Sequence, residues 1–280
     1  MSAPLLEVQS VCKTYGGGLL SRTATHAVKD VNFTMAAREI FTIIGESGSG
    51  KTTLSRMILN VLVPSSGTIR FEGRTLRALR SRKDRLAFMS RVQPIFQNPY
   101  EAFNPLKRID RYLLESAQNF HGSGTQAERE ARADEALRKV GLTLAEVRGR
   151  YPHEMSGGQL QRVAIARALV PNPVLIVADE PVSMIDASLR MTIVNLLKSL
   201  RDDLGVSVIY ITHDLATAYY ISDRLIIMQQ GQVVESGDAR TVLSEPAHPY
   251  SIRLRQAVLT VDDAWRADTL AMPPAPLRSG

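Results

Sequence analysis

A glycine-rich segment at residues 45–53 constrains the fold of this chain more than any other stretch. It follows the apolar run 40–44 and precedes a segment of helical character, residues 54–62. This order of strand, loop and helix matches the phosphate-binding motif G-x-x-x-x-G-K-[ST]. Glycines let successive backbone N–H groups turn towards phosphate oxygens, and the positive end of the following helix points at the same charge. The segment therefore predicts an α/β fold that binds a nucleotide.

Two side chains of this loop have distinct expected roles. Lys51 is expected to reach the β- and γ-phosphates, and the hydroxyl of Thr52 is expected to ligate Mg²⁺. The whole loop is expected to contact the nucleotide: Gly45, Glu46, Ser47, Gly48, Ser49, Gly50, Lys51, Thr52 and Thr53.

The composition is that of an ordinary globular protein with a small basic excess. The chain has 280 residues, 44% of them hydrophobic, and a net charge of +6 from 34 basic and 28 acidic residues. A basic balance can indicate nucleic acid or an anionic membrane surface. Here the arginines are scattered except for a cluster at residues 74–85, which a solvated face explains. We therefore expect a polyphosphate ligand and no nucleic-acid partner.

Cysteine usage and the N-terminus indicate the compartment. Cys12 is the only cysteine, so an internal disulfide is excluded and a reducing compartment is favoured. Residues 1–4 lack the charged and apolar regions of a signal peptide. No run approaches the roughly eighteen uncharged apolar residues of a membrane span. We expect a cytoplasmic chain whose membrane partners, if any, are other subunits.

Hydrophobic periodicity divides the chain into four parts. Residues 1–98 contain strand patterns around the phosphate loop, and residues 99–165 contain helical patterns without a strand signal. The α/β pattern resumes over residues 166–245. Residues 246–280 form a tail, whose proline-rich stretch 272–276 is expected to be extended or disordered. The simplest account is one α/β domain with a helical insertion.

An acidic pair follows the second buried strand pattern. Asp179 and Glu180 end the apolar run 174–178. An aspartate at the end of a strand beside a phosphate loop is where a second Mg²⁺ contact belongs, and the adjacent glutamate can polarise a water that attacks the γ-phosphate. Without a phosphate loop, the same pair would be only the start of a surface loop.

A second candidate anion site lies at residues 155–159. Ser156 and two glycines precede a helical pattern, which is again a helix N-terminus suited to phosphate. The alternative is that Ser156 merely caps its helix. One chain has no obvious use for two such helix starts, whereas two chains facing head to tail could each close the other's site.

Together these motifs resemble those of the ATP-binding cassette (ABC) family. The matching positions are Tyr15 (the aromatic that stacks on adenine), residues 45–53 (Walker A), Gln97 (Q-loop), Ser156, Gly157, Gly158 and Gln159 (signature loop), residues 174–179 (Walker B), Asp186 (D-loop) and His213 (switch histidine). Two departures are mild. Met155 stands where the family usually has Leu, and Met184-Ile185 replaces Ala-Leu in the D-loop.

The resemblance implies a P-loop (RecA-like) α/β core of the ABC ATPase type, an antiparallel β subdomain and an inserted α-helical subdomain. It implies that ATP is sandwiched between Walker A of one cassette and the signature loop of a second, which is a paralogue or another copy. Glu180 would be the general base and His213 would hold the γ-phosphate. Thr52, Asp179 and Gln97 would serve Mg²⁺ or its water.

A narrower resemblance concerns the surroundings of these motifs. Four segments look like those of ATPase subunits of oligopeptide and dipeptide importers. They are the long loop 16–25, residues 98–100, residues 151–154 and the His-Pro-Tyr-Ser sequence at residues 248–251. This branch implies two membrane permease subunits, an extracytoplasmic solute-binding protein acting indirectly, and a place on the cytoplasmic face of the membrane. Some relatives bind an iron–sulfur cluster through tail cysteines. No cysteine follows Cys12 here, so we expect no such cluster.

Several alternatives remain open from the sequence. The same ATPase role could serve an oligosaccharide importer, since these share the branch. A soluble cassette protein acting on ribosomes or nucleic acid is a different class, but such proteins generally carry two cassettes or a long coiled-coil insert. A non-hydrolysing structural subunit would be expected to have lost catalytic groups, and both halves of the site look intact. The His-Pro-Tyr sequence at residues 248–250 could also be a plain linker.

Overall fold

Strands and helices alternate along the part of the chain that the computed structural model describes, which comprises residues 3–16, 24–122 and 124–256. The strands are β1 (Leu6–Tyr15), β2 (Thr25–Met35), β3 (Ile40–Ile44), β4 (Ser66–Phe71), β5 (Arg74–Thr75), β6 (Val92–Ile95), β7 (Leu175–Asp179), β8 (Ser207–Thr212), β9 (Arg224–Gln229) and β10 (Gln232–Asp238). The α-helices are α1 (Lys51–Ile58), α2 (Arg82–Arg91), α3 (Ile109–His121), α4 (Gln126–Arg138), α5 (Leu144–Val147), α6 (Gly157–Leu169), α7 (Ala187–Asp202), α8 (Leu215–Ile221) and α9 (Ala239–Ser244). Residues 249–256 are also helical.

The strands form two sheets. The smaller sheet is antiparallel and has the order β2-β1-β4-β5. The larger sheet has the order β10-β9-β3-β8-β7-β6, in which β9, β3, β8, β7 and β6 run parallel and β10 closes one edge as a hairpin with β9. Because parallel neighbours require crossover connections, helices cover the faces of this sheet and its central strands are buried throughout.

Alternate residues of the central strands separate two hydrophobic cores. Val177 and Ile209 face a core that contains Leu54 of α1 and the inner face of the antiparallel sheet. Ile176 and Val208 face the opposite core, formed with the helices α3, α4, α6 and α7. Because successive side chains of a strand point to opposite faces, an uninterrupted apolar run is needed where both faces are covered. This explains the patterns at residues 174–178 and 206–211.

The segment predicted as a helical insertion is helical. Its described residues contain α3, α4, α5 and the start of α6, and no strand occurs among them. Thr125 and Glu128 form a capping box that starts α4. The chain leaves α4 through Gly141, whose φ of +71° suits a glycine after a helix end.

Helix α2 and strand β6 are among the elements that the sequence pattern does not predict. Helix α2 buries only Phe88, so it shows no apolar periodicity, and its arginines look like a solvated loop. Strand β6 contains Pro94, which lacks an N–H for a sheet ladder. The proline is tolerated because β6 is the edge of the sheet and, among the described strands, pairs only with β7.

Helix boundaries also differ from the periodic pattern. The helix after the phosphate loop begins at Lys51, three residues earlier than predicted, and ends at Ile58. Leucine and isoleucine recur at helical spacing from Leu189 to Leu204, but α7 ends at Asp202 and Leu204 is exposed. Within the tail at residues 246–280, residues 249–256 form a helix, which the periodic pattern does not predict. Most of the long loop 16–25 and the proline-rich stretch 272–276 lie outside the described residues.

The arginine cluster at residues 74–85 makes contacts within the protein. Arg74 pairs with Asp84 at 3.4 Å, and Arg77 and Arg85 each donate to a backbone carbonyl oxygen. These contacts agree with the interpretation of the cluster as a solvated face. No helix in the described ranges is long and apolar enough to cross a membrane.

Candidate nucleotide-binding site

Sheet register brings the motif-bearing loops to one edge of the larger sheet. Ile44, the last residue of β3, lies opposite Thr212 at the end of β8, and Ile211 lies opposite Asp179 at the end of β7. Strand β6 runs parallel beside β7. The loops that follow these four strands therefore open side by side at their carboxyl ends, where open α/β sheets bind their ligands.

These loops enclose a cleft of ≈ 570 Å³. The residues that line it are Ala27, Glu46, Ser47, Gly48, Gly50, Lys51, Thr52, Thr53, Gln97, Glu180 and His213. Gly45 and Ser49 are buried beneath the loop. The size is within the range of about 300–1,000 Å³ typical of small-molecule sites. The cleft thus brings the phosphate loop together with Gln97, Glu180 and His213, which belong to motifs far apart in the sequence.

Glycine is required at two positions of the loop by neighbouring backbone. Gly50 has a φ of +104°, and a Cβ placed on it would lie 2.4 Å from the carbonyl oxygen of Ala27 in β2. A Cβ on Gly45 would lie 2.4 Å from the carbonyl oxygen of Met228 in β9. Helix α1 starts directly after Gly50, so its first-turn N–H groups, which have no partner within the helix, are at the cleft. This cradle of amides fits the oxygens of a polyphosphate.

Lys51 is a buried cation held by uncharged acceptors. Its side chain is 5% exposed, and Nζ donates to the carbonyl oxygens of Gly45 at 2.7 Å and Glu46 at 2.9 Å. Burial lowers the pKa of the Lys51 ammonium below its ordinary value, although the nearby carboxylates of Glu180 and Asp179 act in the opposite direction. Since neither acceptor is charged, a phosphate oxygen at this position would supply the missing direct counter-charge.

Asp179 lies behind the first turn of α1. Its Oδ2 accepts a hydrogen bond from Ser55 Oγ at 3.1 Å. Burial raises the pKa of the Asp179 carboxyl, while hydrogen bonds from Ser55 and Thr52 oppose that rise. A hydroxyl beside a half-buried carboxylate provides hard oxygen donors, which are the ligands that Mg²⁺ prefers. The residues present therefore fit this ion.

Glu180 lies at the centre of three converging side chains. Its Oε2 accepts a hydrogen bond from Gln97 Nε2 at 3.1 Å and lies 3.3 Å from Nδ1 of His213. The Glu180 backbone has a φ of +47°, a conformation that costs of the order of 1–3 kcal/mol for a residue with a side chain. Its N–H donates to Ile211 O at 2.9 Å, which ties this strained turn to the end of β8. The carboxylate is thereby held at the cleft, where a general base is needed.

The signature-loop residues lie elsewhere. Ser156 Oγ accepts from Gln159 N at 3.3 Å, and Gln159 Oε1 accepts from Ser156 N at 3.1 Å, so the two residues form a capping box at the start of α6. With Gly158, they line a separate depression that also includes Leu189 and Thr192. This depression has no lining residue in common with the cleft around Lys51. Gly157 adjoins it at the first position of α6.

Two further predicted residues are also outside the cleft lining. Tyr15 ends β1 with its side chain 42% exposed, and Lys13 Nζ lies 5.3 Å from the centre of its ring. Asp186 is exposed and occupies the N-cap position of α7, without a side-chain capping hydrogen bond among the described residues. Of the two unusual residues before Asp186, Ile185 is buried in the core and Met184 is 62% exposed. The Met184 departure therefore lies on the surface of the chain.

Sequence reasoning missed three residues of this site. Ala27 lines the cleft from β2, and Ser55 donates to Asp179. Ser55 could have been found, because it follows Thr52 by three residues and shares its helix face. The third is Tyr250, whose hydroxyl oxygen accepts a hydrogen bond from Glu46 N at 3.1 Å. These two residues are 204 positions apart, and nothing in the local sequence links them.

The fold and the strand-end site define a P-loop nucleotide-binding protein with an α/β core. The sequence model of the ABC transporter family matches residues 28–183. The chain therefore belongs to the ABC transporter family, whose ATP-binding cassettes hydrolyse ATP. The family resemblance and the fold class predicted from the sequence are both confirmed.

Curated relatives extend the match over most of the chain. The oligopeptide transport ATP-binding protein of Streptococcus pyogenes serotype M1 is 38% identical over 258 residues, covering 92% of this chain and 83% of that protein. A putative peptide import ATP-binding protein of Brucella ovis is 41% identical over 266 residues, covering 95% of this chain and 82% of that protein.

Solved cassettes have the same fold. The dimeric ATP-binding cassette MJ0796, bound to ADP and Pi, superimposes with a TM-score of 0.74 at 30% identity, covering 84% of this chain and 99% of that one. The cbiO1 protein of Clostridium perfringens, part of an ABC transporter complex, gives a TM-score of 0.76 at 28% identity, covering 87% of this chain and 92% of that one.

Proposed function

We propose that the chain is the ATP-hydrolysing subunit of an importer of oligopeptides or dipeptides, which binds ATP with Mg²⁺ in the ≈ 570 Å³ cleft. Two permease subunits would cross the membrane, and an extracytoplasmic solute-binding protein would deliver the solute to them. The chain would then lie on the cytoplasmic face of the membrane. The names of the relatives from Streptococcus pyogenes and Brucella ovis support peptides as the solute.

The residues of the cleft divide the chemical work. Lys51 and the N–H groups of the loop and first turn of α1 hold the β- and γ-phosphates. Thr52 and Asp179, with Gln97, would hold Mg²⁺, which when bound neutralises phosphate charge. Glu180 takes a proton from the attacking water, and His213 would hold the γ-phosphate. His213 and Gln97 also orient the Glu180 carboxylate through the contacts at 3.3 Å and 3.1 Å.

One observation carries the proposal that hydrolysis needs two cassettes. The Ser156 depression shares no lining residue with the Lys51 cleft, so it is not part of the phosphate site of its own chain. A helix N-terminus that presents Ser and Gly residues at the surface is suited to the phosphates of a facing chain. The partner is a paralogue or a second copy arranged head to tail. The cassette MJ0796, which this fold resembles, is a dimer.

Exposed apolar side chains mark the expected contact with the permease subunits. A groove between β6 and α6 is lined by Phe96 and Pro99, and Phe96 is exposed on its rim. Tyr100 is also exposed, and Leu106, a little further along, is 86% exposed. All four lie in the segment around and after Gln97. Docking there would place the permease next to the residue that contacts Glu180, which supports coupling of transport to hydrolysis.

Uptake of two labelled solutes tests the proposal and separates peptide import from the oligosaccharide alternative. The source organism is grown with the chromosomal copy replaced by a Glu180→Gln variant, and uptake of a labelled tripeptide and a labelled trisaccharide is measured. We expect tripeptide uptake to be lost and trisaccharide uptake to be unchanged. The reverse pattern would favour an oligosaccharide importer, and unchanged uptake of both would reject these importer roles.

A further inference from the structure

The C-terminal segment folds back onto the strand that leads into the phosphate loop. Tyr250 is 3% exposed and lies in the helical segment 249–256. Its ring belongs to a small hydrophobic cluster with Ile44, Leu215 and Val242. Ile44 is the last residue of β3 and directly precedes the loop. The tail is therefore packed against the base of the nucleotide site.

A carboxylate fixes the approach of this segment. Glu235 of β10 accepts hydrogen bonds from the backbone N–H groups of Ala247 at 2.8 Å and His248 at 3.2 Å. Burial by itself raises the pKa of Glu235, but the hydrogen bonds to its carboxylate outweigh burial and bring the pKa below its ordinary value. Nδ1 of His248 then accepts from Tyr250 N at 3.2 Å. The tyrosine is thus presented by a hydrogen-bonded turn, which a plain linker would not need.

The Tyr250 hydroxyl and the Lys51 ammonium hold opposite sides of one peptide group. Glu46 N donates to Tyr250 Oη at 3.1 Å, and the carbonyl oxygen of Gly45, in the same peptide group, accepts from Lys51 Nζ at 2.7 Å. A trans peptide is planar, with its N–H and C=O pointing in opposite directions. Rotation of this plane would therefore break both contacts together. Fixing the N–H fixes the carbonyl to which the lysine is anchored.

The neighbouring carbonyl extends the effect into the loop. Glu46 O accepts from Lys51 Nζ at 2.9 Å and from Ser49 N at 3.2 Å. The backbone of Glu46 is thus bonded to Tyr250 outside the loop and to Lys51 and Ser49 inside it. Loss of the outer contact would loosen the geometry of the inner ones.

We propose that Tyr250 is a positioning residue for ATP binding, whose hydroxyl orients the Gly45–Glu46 peptide and, through it, the ammonium of Lys51. The inference rests on the proposed function, in which residues 45–53 bind the phosphates. It assigns two parts to one side chain. The ring packs the C-terminal segment into the hydrophobic cluster beside Ile44, and the hydroxyl fixes the orientation of the Gly45–Glu46 peptide.

Removing only the hydroxyl tests this assignment. The full-length chain carrying Tyr250→Phe keeps the ring and loses the acceptor for Glu46 N. Affinity for the non-hydrolysable analogue AMP-PNP with Mg²⁺, measured by titration calorimetry, is expected to fall by about 3- to 10-fold, the effect of one hydrogen bond. Affinity for AMP, measured by competition, is expected to change by less than about twofold, because AMP lacks the phosphates that Lys51 contacts.

Two other variants provide the controls. Tyr220→Phe removes an exposed tyrosine hydroxyl that donates to Asn195 Oδ1 at 2.7 Å, away from the loop, and is expected to bind AMP-PNP like the wild type. Lys51→Ala is expected to lose AMP-PNP binding altogether. If Lys51→Ala retained full affinity, the proposed phosphate site would be wrong and the inference would fall with it.

Other results would overturn the inference while leaving the proposed function standing. One is wild-type AMP-PNP affinity in Tyr250→Phe together with loss of binding in Lys51→Ala, which would reduce Tyr250 to a packing role. Another is an equal loss of AMP and AMP-PNP affinity accompanied by a lower urea midpoint of unfolding, since that indicates general destabilisation.

Discussion

At the scale of single residues, Glu180 shows how the fold holds a reactive group at the cost of local strain. Its positive φ places it in a conformation that residues with side chains seldom adopt, and the hydrogen bond from its N–H to Ile211 O stabilises that turn. Gln97 and His213 both contact the same carboxylate oxygen. A separate sequence motif predicts each of these three residues, but their contacts with one another depend on the positions of three different strand ends.

The role of Glu180 gives the first prediction. Glu180→Gln keeps the shape of the side chain but removes its basicity, so steady-state ATP hydrolysis is expected to fall by roughly 10²- to 10⁴-fold. Affinity for ATP should survive, since Lys51 and the loop amides are unchanged. The matched control is Glu72→Gln, which removes a surface carboxylate that pairs with Arg91 far from the cleft. Wild-type turnover in Glu180→Gln would remove the general-base role.

Asp179 gives a prediction about stability and pH. Burial raises its pKa, so the native state binds this proton more tightly than the unfolded chain does. The protonated carboxyl therefore contributes stability that is lost as the pH rises from the ordinary pKa of 3.8 through the raised pKa. At pH 7 the charge on this half-buried carboxylate destabilises the nucleotide-free protein. Asp179→Asn is expected to unfold at a higher urea concentration than the wild type at pH 7, and the difference should disappear in acid.

The same variant should be defective in hydrolysis of ATP with Mg²⁺, because the amide lacks the anionic oxygen. Urea unfolding between pH 4 and pH 8 and a standard ATPase assay check the two halves. A wild type that is more stable than Asp179→Asn at pH 7 would contradict the assignment of the raised pKa to burial.

At the scale of elements, the phosphate loop is shaped as much by neighbouring strands as by its own sequence. Gly48 and Gly50 both have positive φ, but the phosphate-binding motif requires glycine only at 45 and 50. Their surroundings differ. A Cβ on Gly48 would meet open space among the described residues, whereas a Cβ on Gly50 would meet the carbonyl oxygen of Ala27.

This difference makes a matched pair of alanine substitutions informative. Gly48→Ala is expected to cost about 1–2 kcal/mol of unfolding free energy, the penalty for a left-handed residue with a Cβ. Gly50→Ala should cost roughly 1–3 kcal/mol more, because the backbone of β2 must move. Urea denaturation of both variants measures the two costs. Equal destabilisation would mean that the contact with Ala27 does not constrain the loop.

The helices show which local signals were sufficient. The capping box of Thr125 and the glycine at 141 set the two ends of α4, and both signals are contiguous in sequence. Helix α2 buries a single side chain, that of Phe88, so its sequence contains no apolar stripe at helical spacing. Periodicity therefore could not predict this helix. Pro94 argues against a central strand, so the local sequence does not predict β6. Only the strand order shows that β6 lies at the edge of the sheet, where a proline is tolerated.

At the scale of the whole molecule, the division between the Lys51 cleft and the Ser156 depression has a functional consequence. If the Ser156 loop serves only a facing cassette, Ser156→Arg should leave the ATP affinity of the isolated chain unchanged within about twofold. Hydrolysis by the assembled complex should fall by roughly 10²-fold or more, because a bulky cation replaces an oriented hydroxyl and blocks access to the helix N-terminus. Titration calorimetry and ATPase assays of the complex separate the two effects.

Lys51→Ala is the reference for this experiment, since it should lose both binding and hydrolysis. Weaker ATP binding by the isolated Ser156→Arg chain would place the loop within its own cleft and contradict the division. Unchanged hydrolysis by the Ser156→Arg complex would argue against head-to-tail pairing.

Contiguous segments by themselves determined the phosphate loop, the acidic pair at residues 179–180, the start of α6 and the alternation of strands and helices. Each depends on spacing within a few residues, where helix caps, glycine conformations and side-chain periodicity act. Tertiary structure alone decided that β3 and β8 end level, so that the loop and His213 share a cleft. It also decided that Ser156 lines a separate depression and that Tyr250 contacts Glu46 across 204 positions. Such contacts follow from sheet register and the packing of distant faces, which no local spacing specifies.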